Sequence, residues 1–137
     1  MNAKHPLLAV DCVVFDPGGR LLLIRRKHPP FRGQYALPGG YVDYGESTEH
    51  AAARELAEET GLTAMNVSLV GVYSDPRRDP RGHVVSIAYR IETTSHDPRA
   101  GDDAAAAAFV ADWETVDLAF DHRRIVGDAV RQRSACR

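Results

Sequence analysis

The chain of 137 residues is expected to fold as an α/β sandwich built on a mixed β-sheet. Two features predict this: short apolar, β-branched runs alternate with two stretches of helical periodicity, and no repeat or linker divides them. Hydrophobic residues make up 44% and charged residues 26%, the balance of an ordinary globular domain. A compact chain of this length buries roughly two-thirds of its unfolded surface, so the core needs no disulfide or metal staple.

Residues 7–16, LLAVDCVVFD, read as a strand that closes in the turn Pro17-Gly18-Gly19. Residues 21–24 are then the returning arm of a hairpin. Residues 25–32, RRKHPPFR, are too basic and proline-rich for a core strand and read as a loop. Residues 35–44 contain Pro38-Gly39-Gly40, so extended pieces there are short. Ser47 is placed to cap a helix, with Glu49 in the first turn, where the helix dipole favours an acid. That helix runs to about Thr60, and Gly61 supplies the left-handed residue that ends it. Residues 67–73 and 84–91 read as a further strand pair, joined by SDPRRDPRGH. Residues 95–103 are a polar loop and residues 108–111 a short strand despite their alanines. Asp121 caps a final helix whose Ile125, Val126, Ala129 and Val130 share one face.

Charge and composition exclude several classes of function. Lys and Arg total 17 against 19 Asp and Glu, a net charge of −2, which is no footprint for duplex nucleic acid. The longest apolar run, residues 104–111, falls far short of the roughly 20 residues of a spanning helix. Asp11 cuts the first apolar run too early for a signal peptide. Cys12 and Cys136 share no redox or metal spacing, and the six histidines never recur at finger spacing. A cytoplasmic protein without nucleic-acid or membrane partners is expected.

The chemistry concentrates in residues 40–62, GYVDYGESTEHAAARELAEETGL. On a helix advancing about 100° per residue, Glu55, Glu58 and Glu59 share an arc of about 100°, bordered by Arg54. Ala52, Ala53, Leu56, Ala57 and Thr60 fill the side expected to face the core. Carboxylates packed this closely resist joint ionisation. A hard divalent cation removes that conflict, and oxygen-only ligands select Mg²⁺, Mn²⁺ or Ca²⁺ over zinc. Gly40 and Gly45 superficially suggest a phosphate loop, but Glu46 stands where such a loop requires Lys. An anion beside a phosphate pocket makes sense with metal between them.

Gly40, Glu46, Arg54, Glu55, Leu56, Glu58, Glu59, Gly61 and Leu62 match every fixed position of the Nudix box, G-x5-E-x7-R-E-U-x-E-E-x-G-U, with U aliphatic. On these residues the chain resembles the Nudix hydrolases from residue 1 to 137, as a single domain with the family's α/β/α sandwich and mixed sheet. The resemblance implies that Glu55, Glu58 and Glu59 bind metal together with the backbone carbonyl of Gly39. It also implies that Arg54 and Glu46 orient those glutamates, with Gly40 and Gly61 shaping the loop–helix–loop around them. The metal is then Mg²⁺, with Mn²⁺ as the alternative. The reaction implied is hydrolysis of a nucleoside diphosphate derivative, in which metal neutralises pyrophosphate oxygens and lowers the pKa of a bound water. Many members add an acid outside the box, in the loop before the last strand, where this chain offers Asp102 and Asp103. The general base is therefore Asp103, Asp102 or a box glutamate.

Pro76, fifteen residues beyond Gly61, resembles a marker of the ADP-ribose pyrophosphatase branch. The stretches ALPGGYVDYGES, SDPRRDPRGHVVS and LAFDHRRI are similar to that branch and to NAD-metabolism regulators that retain a Nudix-type domain. Arg26, Arg77 and Arg81 are the expected substrate contacts, with Arg25, Tyr35 and Arg78 as further candidates for phosphate or ribose. Trp113 and Phe109 are expected in the core. The expected reaction converts ADP-ribose to AMP and ribose 5-phosphate. The alternatives are nucleoside-triphosphate pyrophosphohydrolysis and a non-catalytic ADP-ribose sensor. The regulators carry a DNA-binding domain after the Nudix part, and a chain ending at Arg137 is not expected to hold one. A homodimer is expected from the resemblance alone.

Overall fold

The computed structural model describes residues 4–101 and 104–135, with the side chains of 133–135 left aside. Asp102, Asp103 and Cys136 lie outside the described residues. The order of elements is β1 (Leu7–Val13), β2 (Leu21–Arg26), β3 (Tyr35–Ala36), β4 (Gly39–Tyr41), α1 (Thr48–Thr60), β5 (Ala64–Tyr73), β6 (Val84–Thr93), β7 (Ala104–Val110) and α2 (His122–Ala135). A four-stranded sheet runs β4-β1-β6-β5 and a three-stranded sheet runs β3-β2-β7. The first is mixed, because β1 pairs parallel with β6 and antiparallel with β4. The second is antiparallel throughout.

The expected hairpin between the first two strands forms only at its tip. Leu22 N–H donates to the Val14 carbonyl at 2.9 Å, and Asp16 N–H donates to Arg20 at 2.9 Å. Beyond that rung β1 and β2 diverge into different sheets. The reason lies in their side chains: Val10, Cys12, Val14 and Leu22 pack with α1, whereas Val13, Leu21 and Leu23 pack with α2. Strands covered on both faces are apolar on both faces, unlike a hairpin with one wet side. The two helices thus cover opposite faces of β1, the layered arrangement expected from the sequence.

Other boundaries shift as well. The basic segment is strand as far as Arg26, and β7 begins at Ala104 rather than 108. Its alanines pair in register with residues of β2, so a partner strand outweighs weak β-propensity. Asp121 does not spend its carboxylate on the start of α2, because Arg78 holds both its oxygens, at 2.9 and 2.6 Å. Val130 is exposed, while Ile125, Val126 and Ala129 are buried. No helix among the described residues is long and apolar enough to cross a membrane. Cys12 is buried against α1, and desolvation pushes its thiol well above the ordinary range, which leaves it a packing residue.

The rotation of α1 places the site. Ser47 caps the helix by accepting from His50 N–H at 3.1 Å, and Gly61 ends it at φ 72°, where a side chain would strain the backbone. Ala51, Ala52, Leu56, Glu59 and Thr60 are buried, while Ala57 is exposed. The buried side is therefore turned toward the acidic face relative to the expected one, and it takes Glu59 inside. Leu56 is fully buried in the cluster joining α1 to β1 and β6. Leu56→Ala is expected to cost about 2–5 kcal/mol, read by chemical denaturation, with no change in the oligomeric state.

Candidate active site

The three box glutamates span a gradient of burial, and the gradient follows from their helical positions. The Glu58 side chain is 59% exposed and that of Glu55 15%, and Glu59 is buried at 7%. One guanidinium organises the first two of them with Glu46. Arg54 grips Glu46 with Nε at 2.7 Å and Nη2 at 2.9 Å, reaches Glu55 with Nη1 at 2.8 Å, and lies 3.4 Å from Glu58. Its Nη2 also donates to the Tyr41 carbonyl at 3.0 Å, which ties α1 to β4. Planar fork geometry makes this possible, and a Lys has neither the reach nor the donors.

Glu46 is held from several directions. Besides Arg54, it accepts from Asp43 N–H at 3.0 Å and contacts His50 Nδ1 at 2.8 Å. Hydrogen bonding from Arg54, and then from the Asp43 backbone, keeps its carboxyl far below the usual range. Reciprocally, the bonds to Glu46 push the Arg54 guanidinium above its ordinary value. Glu55 shifts the other way: burial raises its carboxyl, and this outweighs the bonds from Arg54, with the neighbouring Glu58 adding to the rise.

The glycines are fitted to the carboxylates. A Cβ on Gly40 would lie 2.5 Å from Glu55 Cδ, and one on Gly39 would lie 2.2 Å from the Val10 carbonyl. Gly39 N–H donates to Glu59 Oε1 at 2.7 Å. Its backbone is thereby locked beside the acidic helix. Arg99 N–H and Gly101 N–H donate to the Thr60 and Glu59 carbonyls at 2.7 and 2.9 Å, satisfying the last turn of α1.

Beside this array runs a cleft lined by Gly39, Gly40, Tyr41 and Glu59 on one side and by Arg26, Arg78, Arg81 and Phe120 on the others. Arg26 and Arg81 therefore stand where a substrate contact is expected. Arg77 does not line the cleft: its side chain is 90% exposed and bound to Asp75. The loop contains the same local device twice, Asp75-Pro76-Arg77 and Asp79-Pro80-Arg81. In each, the Asp accepts from the backbone N–H two residues on, at 2.8 and 2.9 Å, and from the same Arg side chain. Only the second copy lines the cleft, with Asp79 buried and Arg81 half-exposed. Arg25 lies 4.2 Å over the Tyr35 ring, and neither lines the cleft. Trp113 packs on Phe15 at 5.7 Å, in keeping with a packing role.

Residues that sequence reasoning missed line the cleft floor. Asp11, buried in β1, accepts from Ser86 Oγ at 2.5 Å, and His122 Nε2 lies 3.3 Å from its other oxygen. His122 Nδ1 accepts from Leu37 N–H at 3.0 Å, which leaves the ring proton on Nε2, the nitrogen that faces Asp11. This chain of bonds fixes the segment leading into Gly39 to α2 and to the mixed sheet. The available signal was Asp11 itself, a charge in the middle of LLAVDCVV, where an acid needs a buried partner.

Among the described residues, no three acidic, histidine or cysteine side chains converge on one ion-sized point. Arg54 draws Glu55 and Glu58 one way, and Gly39 N–H draws Glu59 another. The donor set is nevertheless all oxygen. The Glu55 carboxyl is raised by burial first and by neighbouring Glu58 in addition, and a hard divalent cation would offset both.

The NUDIX domain family model matches residues 5–131. The chain belongs to the Nudix family. It is 47% identical over 130 residues to the ADP-ribose pyrophosphatase of Methanocaldococcus jannaschii, across 95% of this chain and 76% of that protein. It is 32% identical to the ADPR responsive transcriptional repressor NtrR of Acinetobacter baylyi, across 90% of this chain and about half (53%) of the repressor. The NUDIX domain of Shewanella oneidensis NrtR, solved in complex with ADP ribose, superposes with a TM-score of 0.86 at 29% identity. That match covers 95% of this chain and 90% of the solved one.

Two outcomes test this Nudix site. Gly40→Ala, by driving a methyl into the Glu55 carboxylate, is expected to lower kcat/KM about a hundredfold while the chain stays cooperatively folded in a thermal melt. Glu46, whose folded-state pKa is depressed, contributes stability that is present above its ordinary value near 4.5 and is lost as pH falls through the folded value. The stability gap between wild type and Glu46→Gln is therefore expected to be full at pH 7 and to shrink at pH 3, as read by urea denaturation.

Proposed function

We propose that this Nudix protein is a Mg²⁺-dependent pyrophosphatase that hydrolyses ADP-ribose to AMP and ribose 5-phosphate. The observation that carries the reading is the junction of two features in one cleft. Glu59 lines one wall with Gly39 and Gly40, next to the carboxylates that Arg54 holds on the same helix, and the arginines Arg26 and Arg81 line the other. The likeness at 47% identity to an ADP-ribose pyrophosphatase supports the substrate, as does the likeness to a Nudix domain solved with ADP ribose. Residues 1–137 act in this reading as one domain, in the cytoplasm and as a homodimer.

Glu55, Glu58, Glu59 and the Gly39 carbonyl are the groups that would hold Mg²⁺, or Mn²⁺ in its place. Such a cation neutralises pyrophosphate oxygens and activates water for attack on phosphorus. Arg54, itself held by Glu46, aims Glu55 and Glu58, and Gly40 admits the Glu55 carboxylate close to β4. Arg26 and Arg81 bind the diphosphate or the adjoining ribose, with Arg77 left to the outer face of the loop. The base that accepts the water proton is Asp103, its neighbour Asp102, or a box glutamate.

Glu58→Gln and Glu59→Gln each remove one ligand charge, the first at an exposed side chain and the second while keeping an oxygen that can accept from Gly39 N–H. Each is expected to lower kcat on ADP-ribose at least about a hundredfold with an unchanged far-ultraviolet spectrum. Turnover like wild type in both variants would overturn the metal assignment.

A further inference from the structure

The cleft places two arginines on one phenylalanine. Arg26 Cζ lies 4.9 Å from the Phe120 ring centroid and Arg81 Cζ lies 5.6 Å from it. Like charges brought this near oppose one another. The effect is visible on Arg26, whose guanidinium is pulled below its ordinary value by burial first and by the field of Arg81 next. An aromatic face, which carries partial negative charge, offsets such a conflict. Asp79 fixes the second guanidinium, accepting from Arg81 Nε at 3.1 Å and Nη2 at 2.8 Å. The Pro30 carbonyl fixes the first, accepting from Arg26 Nε at 2.6 Å.

Phe120 is itself held in an unusual pose. Its φ is 52° and that of Phe31 is 60°, and these are the non-glycine positive values among the described residues. The left-handed region is costly for a bulky side chain, and such residues persist where surrounding packing over-determines them, often at ligand clamps. Here the two strained residues meet edge to face, with ring centroids 4.8 Å apart. The preceding residue is pinned as well, since Ala119 N–H donates to the Tyr35 carbonyl at 2.8 Å. The turn that holds it is closed by His122 N–H donating to the Ala119 carbonyl at 3.1 Å, and the ring it presents lines the cleft.

We propose that Phe120 is a positioning residue whose ring gathers the Arg26 and Arg81 guanidiniums into one preformed cationic pair for the diphosphate of the substrate. The role rests on the pyrophosphatase reading above and adds to it how the anion-binding wall is assembled. Sequence spacing hides this, because residues 26, 81 and 120 come from β2, a loop and the approach to α2.

The test replaces Phe120 by Leu and, separately, by a series of progressively fluorinated phenylalanines, which keep the ring's shape while stripping charge from its face. The probe is inorganic pyrophosphate, titrated calorimetrically in the presence of Mg²⁺. The expected result is a stepwise loss of affinity along the fluorinated series. Phe120→Leu should lose roughly tenfold, and KM for ADP-ribose should rise by a similar factor while kcat stays within about threefold. Affinity that is flat across the series overturns the proposal, as does a fall in Tm and kcat with pyrophosphate binding intact. Wild-type turnover of ADP-ribose is read alongside. Its absence would sink the substrate reading, while the pyrophosphate series would still decide the role of Phe120.

Discussion

A single guanidinium sets the geometry of this protein's acidic site. Arg54 bonds both oxygens of Glu46, one oxygen of Glu55 and the Tyr41 carbonyl, and it approaches Glu58. Without a cation at its centre, so many carboxylates around one turn of helix would repel one another and protonate. With it, Glu46 stays ionised deep into acid while Glu55, desolvated against Gly40, is held nearer to protonation. Two carboxylates on one arginine thus differ in character because Glu46 also collects bonds from the Asp43 backbone and His50, whereas Glu55 has Arg54 alone to set against its burial. That asymmetry suits a site in which one acid orients and another receives a metal ion.

The opposite wall depends on a second network, buried and mostly polar. Asp11, Ser86 and His122 link β1, β6 and α2, and His122 pins the Leu37 backbone just ahead of Gly39. Arg78, 5% exposed, bonds Asp121 on the approach to α2. Every buried side-chain polar atom among the described residues has a partner, so this network stays ordered without cost from unmet hydrogen bonds. Its effect is to hold the loop of residues 74–83 against α2, and with it the cleft-lining copy of the Asp-Pro-Arg device.

What was legible in the sequence follows from how far apart the cooperating residues lie. Arg54, Glu55, Glu58 and Glu59 come from one helix, whose pitch fixes their arc, and Ser47 and Gly61 mark its ends. The box could therefore be read as a unit, and the family with it. The depth of each glutamate could not, because it depends on Gly40 admitting Glu55 and on Gly39 bonding Glu59 across the chain. The hairpin expectation failed for a similar reason: Val13 and Cys12 serve different helices, and a turn signal does not record which face each arm buries. Arg77 and Arg81 end the same Asp-Pro-Arg tripeptide, and tertiary packing is what puts the second and not the first in the cleft.

The central claim is that the Arg54 carboxylate array and the arginine-bearing cleft act together on ADP-ribose. Chromatographic identification of the products from ADP-ribose, dGTP and diadenosine polyphosphates, each incubated with Mg²⁺, tests it most directly. AMP and ribose 5-phosphate from ADP-ribose, lost on chelation, is the predicted result. Pyrophosphate released from dGTP with ADP-ribose untouched, or binding of ADP-ribose with no product at all, would contradict it.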